Sequence, residues 1–273
     1  MAPLPVLMFH VLETNSQSAI SFPPALFERG LAELARRGYR AMALTEVADV
    51  LRQRKPFPQR SLSVTFDDNH RSVYEIAFPV LQRHDMLDGT TVFLTVGSAP
   101  GPRQPDQTLP PLPGARRDQP TFSWRQVREM HAAGVRFGAH TATHPDLTRL
   151  PAEQVEQEMA RSRETIEDFL GAPATCFAYP YGRHDHQAVQ LARKHFDCAC
   201  SDRLGLVRGG KAGSDPYRLE RVDAYYLRHD WSIGLLWSMW LAPYLQARNV
   251  PRQLRRRVRA RLAIRQRGCN KPG

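Results

Sequence analysis

The chain of 273 residues has no Cys-x-x-Cys pair, and its four cysteines (Cys176, Cys198, Cys200, Cys269) are too few and too scattered for a disulfide framework. Cys198 and Cys200, two apart, would share one face of a strand as small buried hydrophobes of a reducing compartment. No internal repeat is visible. The N-terminal stretch from Met1 to His10 lacks both a basic segment and an apolar run long enough for a signal peptide. If Met1 is the true start, the expectation is a cytoplasmic protein. A membrane-spanning run is missing too. The longest uncharged stretch, 231–247, would extend only about 25 Å as a helix, short of the ~30 Å hydrocarbon layer.

Acidic residues are absent from the last 26 positions. Residues 248–273 hold nine Arg and one Lys, ten of the eleven net positive charges, so residues 1–247 carry a net +1. A basicity confined to a tail does not make the body a nucleic-acid binder. What is there is an ordinary globular composition, 42% hydrophobic and 24% charged, which excludes a disordered chain or a fibrous repeat.

The hydropathy pattern alternates strands with helices over the first 230 residues. Predicted strands are 4–12, 39–44, 62–66, 90–96, 135–139, 175–179, 197–201 and 217–226; predicted helices are 27–38, 46–54 (capped by Thr45), 73–84 (with Pro79 as a kink or a first-turn restart), 123–133, 152–170 and 186–195. The Pro- and Gly-rich 98–120 reads as a long loop of the kind that covers sites. Such alternation implies parallel β/α units. Chemistry-bearing residues fall just after four strands: His10, the pair Asp67-Asp68, His140 with His144, and Tyr179-Pro-Tyr181. In parallel α/β architectures that rim is where sites form.

His140 and His144, four residues apart, can reach one ion from a single turn. Either His-x-x-x-His or Asp-Asp alone is a weak signal. Together, two imidazoles and one carboxylate leave an open position on a divalent ion, and the second carboxylate is free to act as a base. Both Asp cannot point the same way on a regular strand, so a turn is required there, with Asn69 the candidate for a left-handed conformation.

Thr65-Phe66-Asp67-Asp68-Asn69, His140-Thr-Ala-Thr-His144-Pro145 and Phe177-Ala-Tyr179-Pro-Tyr181-Gly182 resemble three ordered motifs of the polysaccharide deacetylases (carbohydrate esterase family four). Val6-Leu7-Met8-Phe9-His10-Val11 resembles the opening of a permuted branch that includes poly-N-acetylglucosamine deacetylases. The resemblance spans roughly residues 5–226. It implies a distorted (β/α)7 barrel in an α/β catalytic domain over 1–230. It also implies a divalent metal, zinc first, with cobalt, nickel or iron also fitting, on Asp68, His140 and His144. Asp67 would be the general base, His10 the acid that protonates the leaving amine, and the Tyr181 backbone N–H an oxyanion donor. Arg221 and Asp223 would orient base or acid. His229, in Leu227-Arg228-His229, competes with His10, and His184 is a weaker rival. Asn69 stands where the family usually carries Gly, and Ala178 where many members carry an Arg that braces the base; Arg221 is the candidate replacement. His70, His84, His131, His186 and His195 show no partner pattern and read as surface or core residues, and Trp124 as core.

The implied function is hydrolysis of an N-acyl amino sugar in a glycan or in a lipid-linked or nucleotide-linked precursor. Two other readings remain open: an amidase of the same fold acting on a small amide, and a non-catalytic glycan binder or tail-driven nucleic-acid binder. Segment 231–247 reads as an apolar Trp-rich helix, either core or membrane-interfacial, and 248–273 as a basic amphipathic tail. Together they suggest peripheral contact with anionic lipid on the inner membrane face, and nucleic acid as the lesser partner.

Overall fold

A computed structural model describes residues 3–14, 18–99, 101, 103–113 and 120–250. Among the described residues there are ten strands: β1 (Val6–Phe9), β2 (Val11–Leu12), β3 (Ser21–Phe22), β4 (Arg40–Ala41), β5 (Ser61–Asp67), β6 (Thr90–Leu94), β7 (Arg136–Ala139), β8 (Cys176–Ala178), β9 (Cys198–Leu204) and β10 (Leu219–Asp223). Seven of them pair in parallel in the order β1-β5-β6-β7-β8-β9-β10, and β10 returns to β1, so the sheet closes. This is the (β/α)7 barrel expected from the sequence. β4 adds to β5 outside the ring, and β2 pairs only with β3.

Alternation along the strands sorts side chains into two layers. Leu7, Phe9, Leu62, Val64, Phe66, Val92 and Leu94 face outward, packed with the helices. Val6, Phe93, Ala178, Cys198, Cys200 and Leu219 face inward and meet α2 (Leu44–Arg52), which plugs the end of the barrel where the strands begin. The lumen is narrow. A Cβ on Gly138 would come within 2.6 Å of the Phe93 ring and 2.7 Å of the Cys176 carbonyl, so only glycine leaves that ring its place. With one end filled, polar groups can collect only at the other, where the strands end.

Among the described residues the helices are α1 (Pro24–Arg36), α2, α3 (Phe78–Arg83), α4 (Trp124–Ala132), α5 (Ala152–Leu170), α6 (His186–His195) and α7 (Asp230–Ile233), followed by a last helical stretch over 241–250. Several expectations need correction. Thr45 does not cap α2. Ala43 is the N-cap, and the Glu46 carboxylate accepts its backbone N–H at 2.8 Å, so a carboxylate one turn inside does the work of the missing hydroxyl. The strand expected over 39–44 shrinks to Arg40–Ala41, because α2 starts early. Of the two readings of Pro79 the restart holds: a wide turn over Val73–Ala77 passes into α3 with Pro79 in its first turn, where its missing N–H costs nothing. The first strand breaks at His10.

Segment 231–247 is not one helix. α7 gives way to a 3-10 turn, Gly234–Trp237; Ser238 is extended (φ −112°, ψ 157°), and 241–250 are helical again. Trp124 is core, 1% exposed against Phe169. Cys176, Cys198 and Cys200 are free and buried. Cys269 and the tail from 251 on lie outside the described residues.

Candidate active site

Strand register brings the chemistry to one rim. Phe9 lies opposite Phe66 and Met8 opposite Asp223, so His10, one residue past β1, stands beside the ends of β5 and β10. Leu94 pairs with Ala139, and Ala139 with Phe177, which places His140 and Tyr179 at the same level. A cleft of about 290 Å³ there is lined by His10, Asp67, Asp68, His140, His144 and Tyr181, together with Arg221 and Asp223.

Asp67 is 3% exposed and fully engaged. Arg221 Nη1 donates to its Oδ1 (2.6 Å) and Nη2 to its Oδ2 (2.7 Å), a bidentate fork. Arg221, 1% exposed, also donates from Nε to the Ser201 carbonyl (2.9 Å), which fixes the plane of the fork. Burial by itself would raise the Asp67 pKa; the guanidinium outweighs it and holds the carboxyl well below the usual carboxylate range. Arg221 thus clamps Asp67 through both carboxylate oxygens. His10 Nε2 is 4.0 Å from Asp67 Oδ2.

Asp68 is the opposite case. It turns off β5 with φ +71°, so the left-handed residue is Asp68 and not Asn69. Its Oδ1 is buried without a hydrogen-bond partner among the described residues. That oxygen lies 3.7 Å from His140 Nε2 and 3.8 Å from His144 Nε2, and the two Nε2 atoms are 3.2 Å apart. His140 Nδ1 lies 2.7 Å from the Ala178 carbonyl, which can only accept, so Nδ1 donates there and Nε2 is the nitrogen turned toward Asp68.

The two histidines sit on a turn rather than a helix. Thr141 and His144 have φ of +68° and +60°. The Thr141 hydroxyl accepts the His144 N–H (2.9 Å), and Glu158 of α5 accepts both the N–H and hydroxyl of Thr143 (2.8 Å each). Burial, reinforced by His140, lowers the His144 pKa to about 4, keeping its imidazole neutral near pH 7. An orphaned carboxylate oxygen facing two imidazole nitrogens, all within 4.8 Å, fits a divalent cation of the zinc type.

Tyr181 has φ +57°, and its ring meets His144 edge-on at 4.6 Å. Asp223 lines the cleft, and its Oδ1 accepts the Tyr225 N–H (3.0 Å). The rival acids lie elsewhere: His229 caps α7 and stacks on Trp231, and the His184 ring lies tilted against Tyr179 at 4.8 Å. Asn69 does not narrow the cleft. Its side chain donates to the Thr95 and Pro110 carbonyls and accepts the Thr95 N–H, pinning the strand end to the long loop.

Sequence reasoning missed His70, 8% exposed, with Nε2 4.0 Å from Asp68 Oδ2. It also missed Leu112 and Pro113, which the long loop brings to the cleft, and Ile20 and Asp202. The only available signal was the position of His70 two residues past Asp68.

The polysaccharide deacetylase family profile matches residues 54–196, just over half of the chain. The poly-beta-1,6-N-acetyl-D-glucosamine N-deacetylase of Escherichia coli (strain K12) is 28% identical over 240 residues, covering 75% of this chain and 34% of its own length. YxkH of Bacillus subtilis (strain 168), whose name places it with the polysaccharide deacetylases, is 27% identical over 193 residues, covering 71% of this chain and 62% of its own. The chain therefore spans less than two thirds of either relative. Among solved structures, IcaB from Ammonifex degensii superposes with a TM-score of 0.66 at 25% identity, covering 82% of this chain and 94% of that one. The Streptococcus pyogenes deacetylase PplD shares the fold, with a TM-score of 0.68 at 23% identity over 81% and 92%. With three motifs on one rim and the family profile crossing the barrel that carries them, this chain belongs to the polysaccharide deacetylase family.

Proposed function

We propose that the chain is a metal-dependent N-deacetylase that releases acetate from an N-acetylated amino sugar in a glycan or a glycan precursor. The observation that carries this reading is the buried, unpartnered Asp68 Oδ1 facing two imidazole nitrogens, one residue from a carboxylate already satisfied by Arg221. The name of the Escherichia coli relative supports poly-N-acetylglucosamine or a related polymer as the substrate class.

Asp68, His140 and His144 would hold the cation, with zinc suited to this nitrogen and oxygen donor set and cobalt, nickel or iron as substitutes. A cation bound there supplies Lewis acidity, which acidifies water and polarises an acyl carbonyl. Asp67 takes the proton from the attacking water on a lone pair that the Arg221 fork leaves open. Its basicity is weakened by the guanidinium, so it is ionised at every working pH and takes a proton only from acidified water. The Tyr181 backbone N–H stabilises the developing oxyanion. His10, on the Asp67 side of the cleft, donates a proton to the departing nitrogen. Water and amide become acetate and a free amine, with one proton moved by each of Asp67 and His10. The exposed Tyr181 ring, with Ile20 and Pro113, gives the cleft an apolar rim suited to a pyranose face.

The test is acetate release from β-1,6-linked N-acetylglucosamine oligomers by zinc-loaded protein, with free amine counted in parallel. Equal yields of both, abolished by Asp68→Asn, are expected. Turnover of small amides with none of N-acetyl sugars would replace this reading with an amidase.

A further inference from the structure

Four of the six exposed large hydrophobic side chains among the described residues lie in 231–250: Trp231 (61%), Met239 (84%), Trp240 (65%) and Val250 (66%). Scattered apolar residues need no explanation, but Trp231 packs on Tyr244 and Trp240 precedes Tyr244 by one helical turn. Trp240, Tyr244 and Arg248 follow at i, i+4 spacing along the final helical stretch, one above another on a single face. The Trp231 ring meets the Tyr244 ring edge-on at 5.7 Å, and the Arg248 guanidinium lies 5.3 Å over the same ring.

The adjoining face buries Leu241 and Leu245 in the main core, against which Tyr244 is itself partly packed. Ser238 accepts the Trp240 N–H (3.1 Å), and the Tyr244 hydroxyl donates to the Tyr226 carbonyl (2.8 Å), three residues past Asp223 of the cleft. The rings therefore project from a fixed support. The nearest acid, Asp230, is already paired with Arg29.

The occupant is indicated by charge. The stripe runs from aromatic to Arg248, and the sequence beyond continues with eight more Arg, one Lys and no acid. Indole and phenol rings at headgroup depth, with guanidinium groups reaching anionic headgroups, are what an interfacial helix presents. No described helix is long and apolar enough to cross a membrane, so the segment would lie on the surface. We propose that Trp231, Met239 and Trp240 dock the protein on an anionic lipid bilayer, with 248–273 supplying the long-range attraction. This does not depend on the deacetylase reading.

The test is flotation of the full chain with vesicles of phosphatidylcholine alone, or with about 30% phosphatidylglycerol added. Binding only to the anionic vesicles is expected. A Met239→Ser/Trp240→Ser double variant should bind at least about fivefold less while melting like the parent, because both side chains are solvent-exposed. Absence of flotation by the parent, or equal flotation of the variant, would overturn the proposal. Retention on RNA in preference to vesicles of equal phosphate content would assign the tail to nucleic acid and overturn it as well.

Discussion

Asp67 and Asp68 are neighbours in sequence and comparably buried, yet their surroundings are opposite. Asp67 ends β5 with both oxygens held by Arg221. Asp68 swings into a left-handed turn and leaves one oxygen with no partner among the described residues. A satisfied buried carboxylate needs nothing more. An unsatisfied one costs free energy unless something outside the chain completes it. On the proposed reading the difference would give separate tasks to two residues of the same type: Asp68 would bind the cation, and Asp67 would stay charged and receive a proton.

The largest effect should come from taking the clamp away. Arg221→Ala leaves Asp67 buried at 3% exposure without its partner, and a loss of about 3–5 kcal/mol in chemical denaturation is expected. Arg221→Lys should recover part of that stability but not the fork. If Arg221→Ala costs under about 1 kcal/mol, the two aspartates differ less than the structure indicates.

Chemistry should separate them next. Asp67→Asn and His10→Ala are each expected to lower kcat by about 10²–10⁴-fold while the cation stays bound. A His10→Ala variant with near-parent kcat would remove His10 from the proton path.

A smaller effect follows from pH. Burial lowers the pKa of His144 to about 4 and that of His70 in the same direction. The folded state then binds fewer protons than the unfolded chain, so stability from these groups is full above pH ~6.5 and is lost as pH falls toward 4. Urea midpoints of metal-free protein should drop across that window, and His144→Gln should flatten the drop. The smallest change is Asn69→Gly, which removes three hydrogen bonds to Thr95 and Pro110 and should cost about 1–3 kcal/mol, with kcat nearly kept.

Much of this arrangement was legible in the sequence because parallel strands announce themselves. Alternating strand and helix patterns put His10, Asp67, His140 and Tyr181 at strand ends before any coordinates, and register then made those ends one rim. Less legible were features set by packing rather than by local pattern. The left-handed residue at the acidic pair is Asp68, because Asn69 is tied to the long loop. The cap of α2 comes from Glu46 inside the helix. Residues 231–247 read as one apolar stretch, yet the chain breaks at Gly234 and Ser238, burying Leu236, Leu241 and Leu245 and turning Trp231 and Trp240 outward. His70 escaped because its relation to Asp68 exists only once the turn is made.

The most direct test of the central claim is the metal content of three purified proteins: the parent, Asp67→Asn and Asp68→Asn, by elemental mass spectrometry. The account predicts close to one divalent ion per chain in the parent and in Asp67→Asn, and almost none in Asp68→Asn. An ion retained in Asp68→Asn, or lost equally from both variants, would contradict the division of labour between the two aspartates.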